Sequence, residues 1–223
     1  MVNRLEQQTH RRFIKTHTPL DGVPLDERAT YVVVGRHPLD VAISLYHQGS
    51  NLDRHRIRQL TGQPRSERAE APPLSLPRFL DGWMAEQADP RHHLDTLPGL
   101  LLHATDAWAR REHDNVVLLH YDEMARDLDG VMRGLADRLG IAIAEDRWPV
   151  LVESATFEAM KARAAAIAPD PRGVLKDPKR FFRRGTPGEG RELLSTTDQA
   201  TYAARASALA PPDVLAWLHG VAG

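Results

Sequence analysis

Short apolar runs alternate along the chain with polar, turn-forming stretches, and their lengths separate strands from helices. Phe13 and Ile14 predict a brief strand, in which alternation would put Lys15 and His17 on one face and Thr16 on the other. Tyr31, Val32, Val33 and Val34 make a continuous aromatic and β-branched run, the pattern of a strand buried on both faces of a parallel sheet. Gly35 and Arg36 end that run, and Pro38 suits the first turn of a helix, where a missing N–H breaks no hydrogen bond. Val41, Ala42, Leu45 and Tyr46 supply the apolar side of this helix, with Asp40 in its first turn to suit the helix dipole.

Polar residues dominate positions 48–73, which read as a loop or lid holding at most a short helix. Helical periodicity returns over 76–87 and 97–113, the second with Leu101, Leu102 and Trp108 facing inward. Residues 116–119 predict the next buried strand, and Tyr121 stands just past its end. Asp129 is placed to cap a helix that runs to Leu139 and stops at Gly140. Helices over 145–153 and 157–167 follow, with Thr156 as N-cap of the second. Residues 168–190, rich in proline and glycine, read as a long functional loop; Ser195 opens the last helical region, and Pro211 and Pro212 its final helix. Residues 1–10 look like the tail of a helix.

A chain of 223 residues fits one domain with a substantial core. The absence of cysteine excludes disulfides, thiolate nucleophiles and thiolate-bound metals. A net charge of -1 gives no reason to expect nucleic acid or an anionic membrane as a partner, and no apolar stretch is long enough to cross a bilayer. Without an apolar signal region, the expected location is the cytoplasm. Any anion site must therefore come from local clustering of cations.

Two stretches cluster in that way. Strand, Gly35, Arg36, Pro38 and helix would make a phosphate or sulfate site, with Arg36 forking onto the anion, the helix amino end donating N–H groups and Ser44 adding a hydroxyl. Equally open is a structural pairing of Arg36 with Asp40, Ser44 merely packing. From Lys176 to Arg191 there are six Lys or Arg against two acidic residues, with Phe181 and Phe182 among them. That composition suits a phosphorylated nucleotide, a ring covering the base while Arg183 and Arg184, followed by Gly185, bind phosphate; a solvated basic loop is the other reading. Tyr121 either caps a base or closes the core. His17, by itself, is either structural or catalytic. His92, His93 and His103 lack zinc-site spacing, and no metal is expected.

In this order the segments resemble the PAPS-dependent sulfotransferases, especially bacterial relatives of the cytosolic type. RFIKTHTPLDGVP is similar to that family's lysine-X-histidine strand, and YVVVGRHPLDVAISLYH to its 3′-phosphate motif. VVLLHYDEMARDL, ATFEAMKA and FFRRGTPGEGR are similar to its later nucleotide-contacting motifs. Together the five span residues 12–191, and five matches in family order are far more specific than any one.

The resemblance implies an α/β fold of the P-loop-like sulfotransferase type, a parallel sheet flanked by helices. It implies transfer of a sulfuryl group from PAPS to a hydroxyl of a small molecule, leaving PAP, with no metal. His17 would be the general base and Lys15 would stabilise charge at the oxygen joining phosphate to sulfate. Arg36, Ser44, Arg183, Arg184 and Gly185 would bind the 3′-phosphate. Tyr121 would hydrogen-bond adenine, and Thr156 and Phe157 would line the base pocket; Phe181 is a candidate from the loop composition alone. A homodimer is compatible with this reading. Two departures stand out. Gly188, Glu189 and Gly190 occupy the place where the family has tryptophan after Gly-Asp. The family's PKSGTTW-like loop, which holds the 5′-phosphosulfate, belongs before Arg12, yet residues 1–10 carry no such motif and no replacement P-loop follows. The expectation is a single domain over 1–223, amino-terminally truncated and missing its first strand-loop-helix unit. The rival expectation is a catalytically impaired PAP-binding module that needs a partner or the missing segment; a kinase-like phosphotransferase ranks third.

Overall fold

The computed structural model describes residues 7–63, 74–168 and 170–220. The valine run forms β1, Tyr31–Gly35, and pairs in parallel with β2, Val116–His120. Tyr31 lies opposite Val116 and Gly35 opposite His120, so the two strands end level with each other. Whatever follows β1 therefore meets whatever follows β2. Among the described residues the sheet has these two strands.

The crossover between them carries α1 (Pro38–Asn51), α2 (Arg54–Thr61), α3 (Leu76–Ala85) and α4 (Leu97–Ala109). After β2 come α5 (Tyr121–Arg126), α6 (Leu128–Arg138), α7 (Trp148–Ala155), α8 (Phe157–Ala162) and α9 (Ala164–Ile167). Short α10 (Glu189–Leu193) then leads into α11 (Thr196–Leu209) and α12 (Pro212–Leu218). Local chemistry sets many of these boundaries. Side chains of Asp53, Thr96, Thr156 and Ser195 accept a backbone N–H in the first turn of α2, α4, α8 and α11. Proline occupies the first turn of α1, α3, α4, α7 and α12.

The main core joins these helices across the whole sequence. Leu39, Ala42 and Ile43 of α1 meet Leu80 and Trp83 of α3, Leu97 and Leu101 of α4, Tyr202 of α11, and Val214 and Leu218 of α12. Each fully buried leucine or isoleucine contributes roughly 1.5–3 kcal/mol, so α1 is fixed by its apolar face. A smaller cluster of Leu20, Val33, Ala107 and Val116 seats the sheet on α4.

Several expectations are corrected. Phe13 and Ile14 form no strand; both are exposed. The side-chain hydroxyl of Thr16 takes the Thr18 N–H instead, a local turn that competes with ladder pairing. β1 is buried on one face, with Val33 only 7% exposed and Val34 52% exposed. Within the expected loop, helix α1 runs on to Asn51 and α2 is the short helix allowed for, while residues 64–73 of that stretch lie outside the described residues. Asp127, not Asp129, caps α6 through the Gly130 N–H, and Asp129 pairs with Arg133 one turn on. The helix expected over 157–167 breaks at Arg163, and the one over 145–153 becomes a 3-10 turn followed by α7. Most of the amino-terminal helical tail lies outside the described residues.

Candidate functional site

Level strand ends bring Arg36 and Tyr121 together. The Arg36 guanidinium lies over the Tyr121 ring, 4.2 Å from its centre. Its Nε is buried and has no hydrogen-bond partner. Arg36 does not pair with Asp40. Next to it His37 caps α1, its Nδ1 accepting the Leu39 N–H at 3.2 Å. His37 is also stacked on His219 at 4.8 Å between ring centres. Burial, with the neighbouring His219 acting in the same direction, holds its pKa down to about 4.

Helix α1 carries the second part of the site. Asp40, Ser44, His47 and Asn51 recur at helical spacing and form a polar stripe beside the apolar face. Ser44 is exposed on that stripe. Asp40 is buried and accepts two backbone N–H groups, from Gly188 and Gly190, at 2.7 Å each. Asn51, equally buried, donates to the Asp177 carbonyl at 2.9 Å and accepts the Asp177 N–H at 3.1 Å. Burial and the nearby Arg183 lower the pKa of His47.

The cationic loop is the third part. Gly185 has φ +76°, a backbone that L side chains rarely adopt, and an added Cβ would come within 2.4 Å of the Phe157 ring. Only glycine fits between that ring and the loop backbone. Thr156 fixes the entry to α8 by accepting the Ala159 N–H at 3.2 Å, which places Phe157 beneath Gly185. Phe182 is buried and meets Phe157 edge-on at 6.2 Å. Phe181, expected to be the covering ring, is more exposed and packs against Phe182 at 5.3 Å. Glu189 forks onto Arg183, with Oε1 on Nη1 at 2.8 Å and Oε2 on Nη2. That ion pair pulls the Glu189 carboxyl below its usual range. Arg184 reaches Glu192 at 3.0 Å.

Lys15 and His17 lie in the exposed, irregular stretch before Pro19, outside the hydrogen-bonded contacts just described. His17 lies close enough to His103 of α4 to act with burial in lowering the His103 pKa. The pattern reading missed Asp40 as a loop anchor, together with His47, Asn51 and Glu189. The signal for the helix residues was present, since polar side chains at i, i+4, i+7 and i+11 mark a face that covers something other than solvent. Among the described residues there is no group of three or more His, Asp or Glu that could hold a metal ion. No helix described is long and apolar enough to cross a membrane.

A parallel strand pair ending in an arginine with an orphaned nitrogen, with a glycine-bearing cationic loop tied to the helix that follows, defines a class of α/β protein with a candidate anion site. Comparison with known proteins gives that class its family. A sulfotransferase domain model matches residues 1–205. The chain is 40% identical to glycolipid sulfotransferases of Mycobacterium bovis and Mycobacterium tuberculosis, over 98% of its own length and 72% of theirs. A crystal structure of a mouse sulfotransferase complexed with PAP superposes with a TM-score of 0.70 at 18% identity, covering 98% of this chain and 72% of that one. Retinol dehydratase in complex with retinol and PAP superposes with a TM-score of 0.68 at 25% identity, covering 92% and 55%. The chain belongs to the sulfotransferase family, and its reaction class is sulfuryl transfer.

Proposed function

We propose that the sulfuryl donor is PAPS and that the acceptor is a hydroxyl of a small molecule, with glycolipids the first to assay because the 40% identical relatives are named for them. The observation that carries this reading is Arg36, stacked on Tyr121 with its Nε buried and unpartnered at the level strand ends. An arginine in that state offers donors to an incoming anion without first breaking a salt bridge. The donor set fits a phosphorylated nucleotide. Arg36, Ser44, Arg184 and the Gly185 backbone would hold its 3′-phosphate together with Arg183. Tyr121, Thr156, Phe157 and Phe181 would border the base.

PAPS supplies the sulfuryl group when bound, and PAP is the product. His17 takes the acceptor hydroxyl proton as the new oxygen–sulfur bond forms. Lys15 offsets the negative charge that builds on the oxygen released from sulfur. Sulfuryl transfer, like phosphoryl transfer, needs in-line placement and charge neutralisation more than covalent help from the protein, which suits a site made of cations and one base.

The test combines PAP calorimetry with transfer of radiolabelled sulfate from PAPS to hydroxyl acceptors that include glycolipids. His17→Ala should keep PAP affinity while transfer falls by ~100-fold or more. Transfer unaffected by that change would remove His17 as the base. A folded protein that fails to bind PAP would defeat the donor assignment.

A further inference from the structure

We infer that Asp40 is a positioning residue for the ligand-binding loop, an inference that rests on the nucleotide reading above. Its place in the first turn of α1 suits the helix dipole, and the cap of that turn is His37. Both carboxylate oxygens are instead committed to a segment about 150 residues away in sequence, Oδ2 to the Gly188 N–H and Oδ1 to the Gly190 N–H. Contact is as close as backbone allows, because a Cβ on Gly190 would lie 2.5 Å from the Leu39 carbonyl carbon. Far along the same stripe, Asn51 grips Asp177 by both its N–H and its carbonyl, and the Asn51 carbonyl accepts the Lys176 N–H at 2.8 Å.

The loop is thus tied to one helix at two points, and Arg180, Arg183, Arg184 and Gly185 lie between them. Arg180 reaches Ser50 Oγ at 3.4 Å, and His47 lies within electrostatic range of both Arg180 and Arg183. The apolar face of α1 is fixed independently by the main core. Releasing the Asp40 tie therefore leaves the helix seated and the loop still held at Asn51, while the arginines between lose their fixed placement against α1. Loss of that placement should weaken nucleotide binding more than it weakens the fold.

Asp40→Asn tests this at nearly constant volume. Asparagine keeps one acceptor, and its amide N–H groups oppose the second loop N–H. The expected result is a rise of ~10-fold or more in the KM for PAPS and in the Kd for PAP, a kcat within about threefold of wild type at saturating PAPS, and a lower Tm that leaves the protein folded at the assay temperature, because the opposed buried N–H groups also cost stability. Gly190→Ala approaches the same contact from the loop side; its Cβ would meet the Leu39 backbone at 2.5 Å, so it should lower Tm as well as raise the KM for PAPS and the Kd for PAP, both constants read on protein still folded at the assay temperature. Unchanged KM and Kd in both variants would overturn the inference. Hydrogen exchange separates a failed latch from a failed nucleotide reading. In the wild type the Gly188 and Gly190 amides should be protected without any ligand, and Asp40→Asn should remove that protection; fast exchange in the wild type would overturn the latch even if PAP binds. If the latch is seen in exchange but PAP does not bind, the nucleotide reading fails, and the positioning role falls with it.

Discussion

Arg36 lies 4.2 Å from the centre of the Tyr121 ring, so the first residue past β1 is held by the first residue past β2. A guanidinium stacks on an aromatic face as a flat cation, which a lysine ammonium cannot copy. Arg36→Lys should therefore behave like Arg36→Ala, raising the Kd for PAP by ~10-fold or more despite the retained charge. Tyr121→Phe keeps the stacking face and should cost far less than Tyr121→Ala. Calorimetry of the four variants checks this; equal losses for Phe and Ala at position 121 would mean that the hydroxyl, not the ring, does the work.

Gly185 meets two constraints at once, a φ of +76° and a Phe157 ring 2.4 Å from where a Cβ would stand. Gly185→Ala should lower Tm and weaken PAP binding, because the backbone alone disfavours alanine by about 1 kcal/mol and the clash adds to it. Phe157→Ala removes the ring and hence the clash. Combined with Gly185→Ala it should destabilise by less than the sum of the single changes, and thermal melts of the double-mutant cycle measure the difference.

These two contacts also mark how far the sequence could be read. The valine run, the proline-opened helices and the Thr156 and Ser195 caps were readable because each is a local signal, complete within a few residues. Arg36 and Tyr121 were both singled out, but their stacking depends on the parallel register, which no local pattern encodes. Asp40 was assigned to its own helix because the glycines it binds are some 150 residues away. Phe13 and Ile14 fail in the opposite direction. Two apolar residues suggest a strand, but a strand also needs a neighbour for its ladder, and the Thr16 hydroxyl offers the backbone a local alternative.

Thr156 holds the first turn of α8 through the Ala159 N–H, and that turn carries Phe157 to Gly185. Thr156→Ala should cost about 1 kcal/mol of stability, with a modest loss of PAP affinity as Phe157 loosens. Thr156→Ser keeps the accepting oxygen and should restore both. Denaturant midpoints and PAP titration on the pair decide between a cap and a mere packing residue.

His37 should make the fold acid-sensitive. It is buried against His219 and Tyr202, with Asp40, Arg191 and His120 also in its field, and its pKa is held down to about 4. In the unfolded chain the same imidazole titrates near the ordinary value of 6.5. Between those two values the unfolded state binds the extra proton, so stability is full above 6.5 and is lost as pH falls toward 4. One histidine shifted this far accounts for about 3 kcal/mol, and His219, lowered by its own burial, acts in the same direction. His37→Asn keeps an oxygen that can cap α1 but cannot titrate. Its Tm at pH 7 should fall slightly through the lost stacking, while the drop in Tm between pH 6.5 and 4.5 should shrink relative to wild type. Melts that steepen equally with acid in both proteins would show that the His37–His219 stack does not carry the pH dependence.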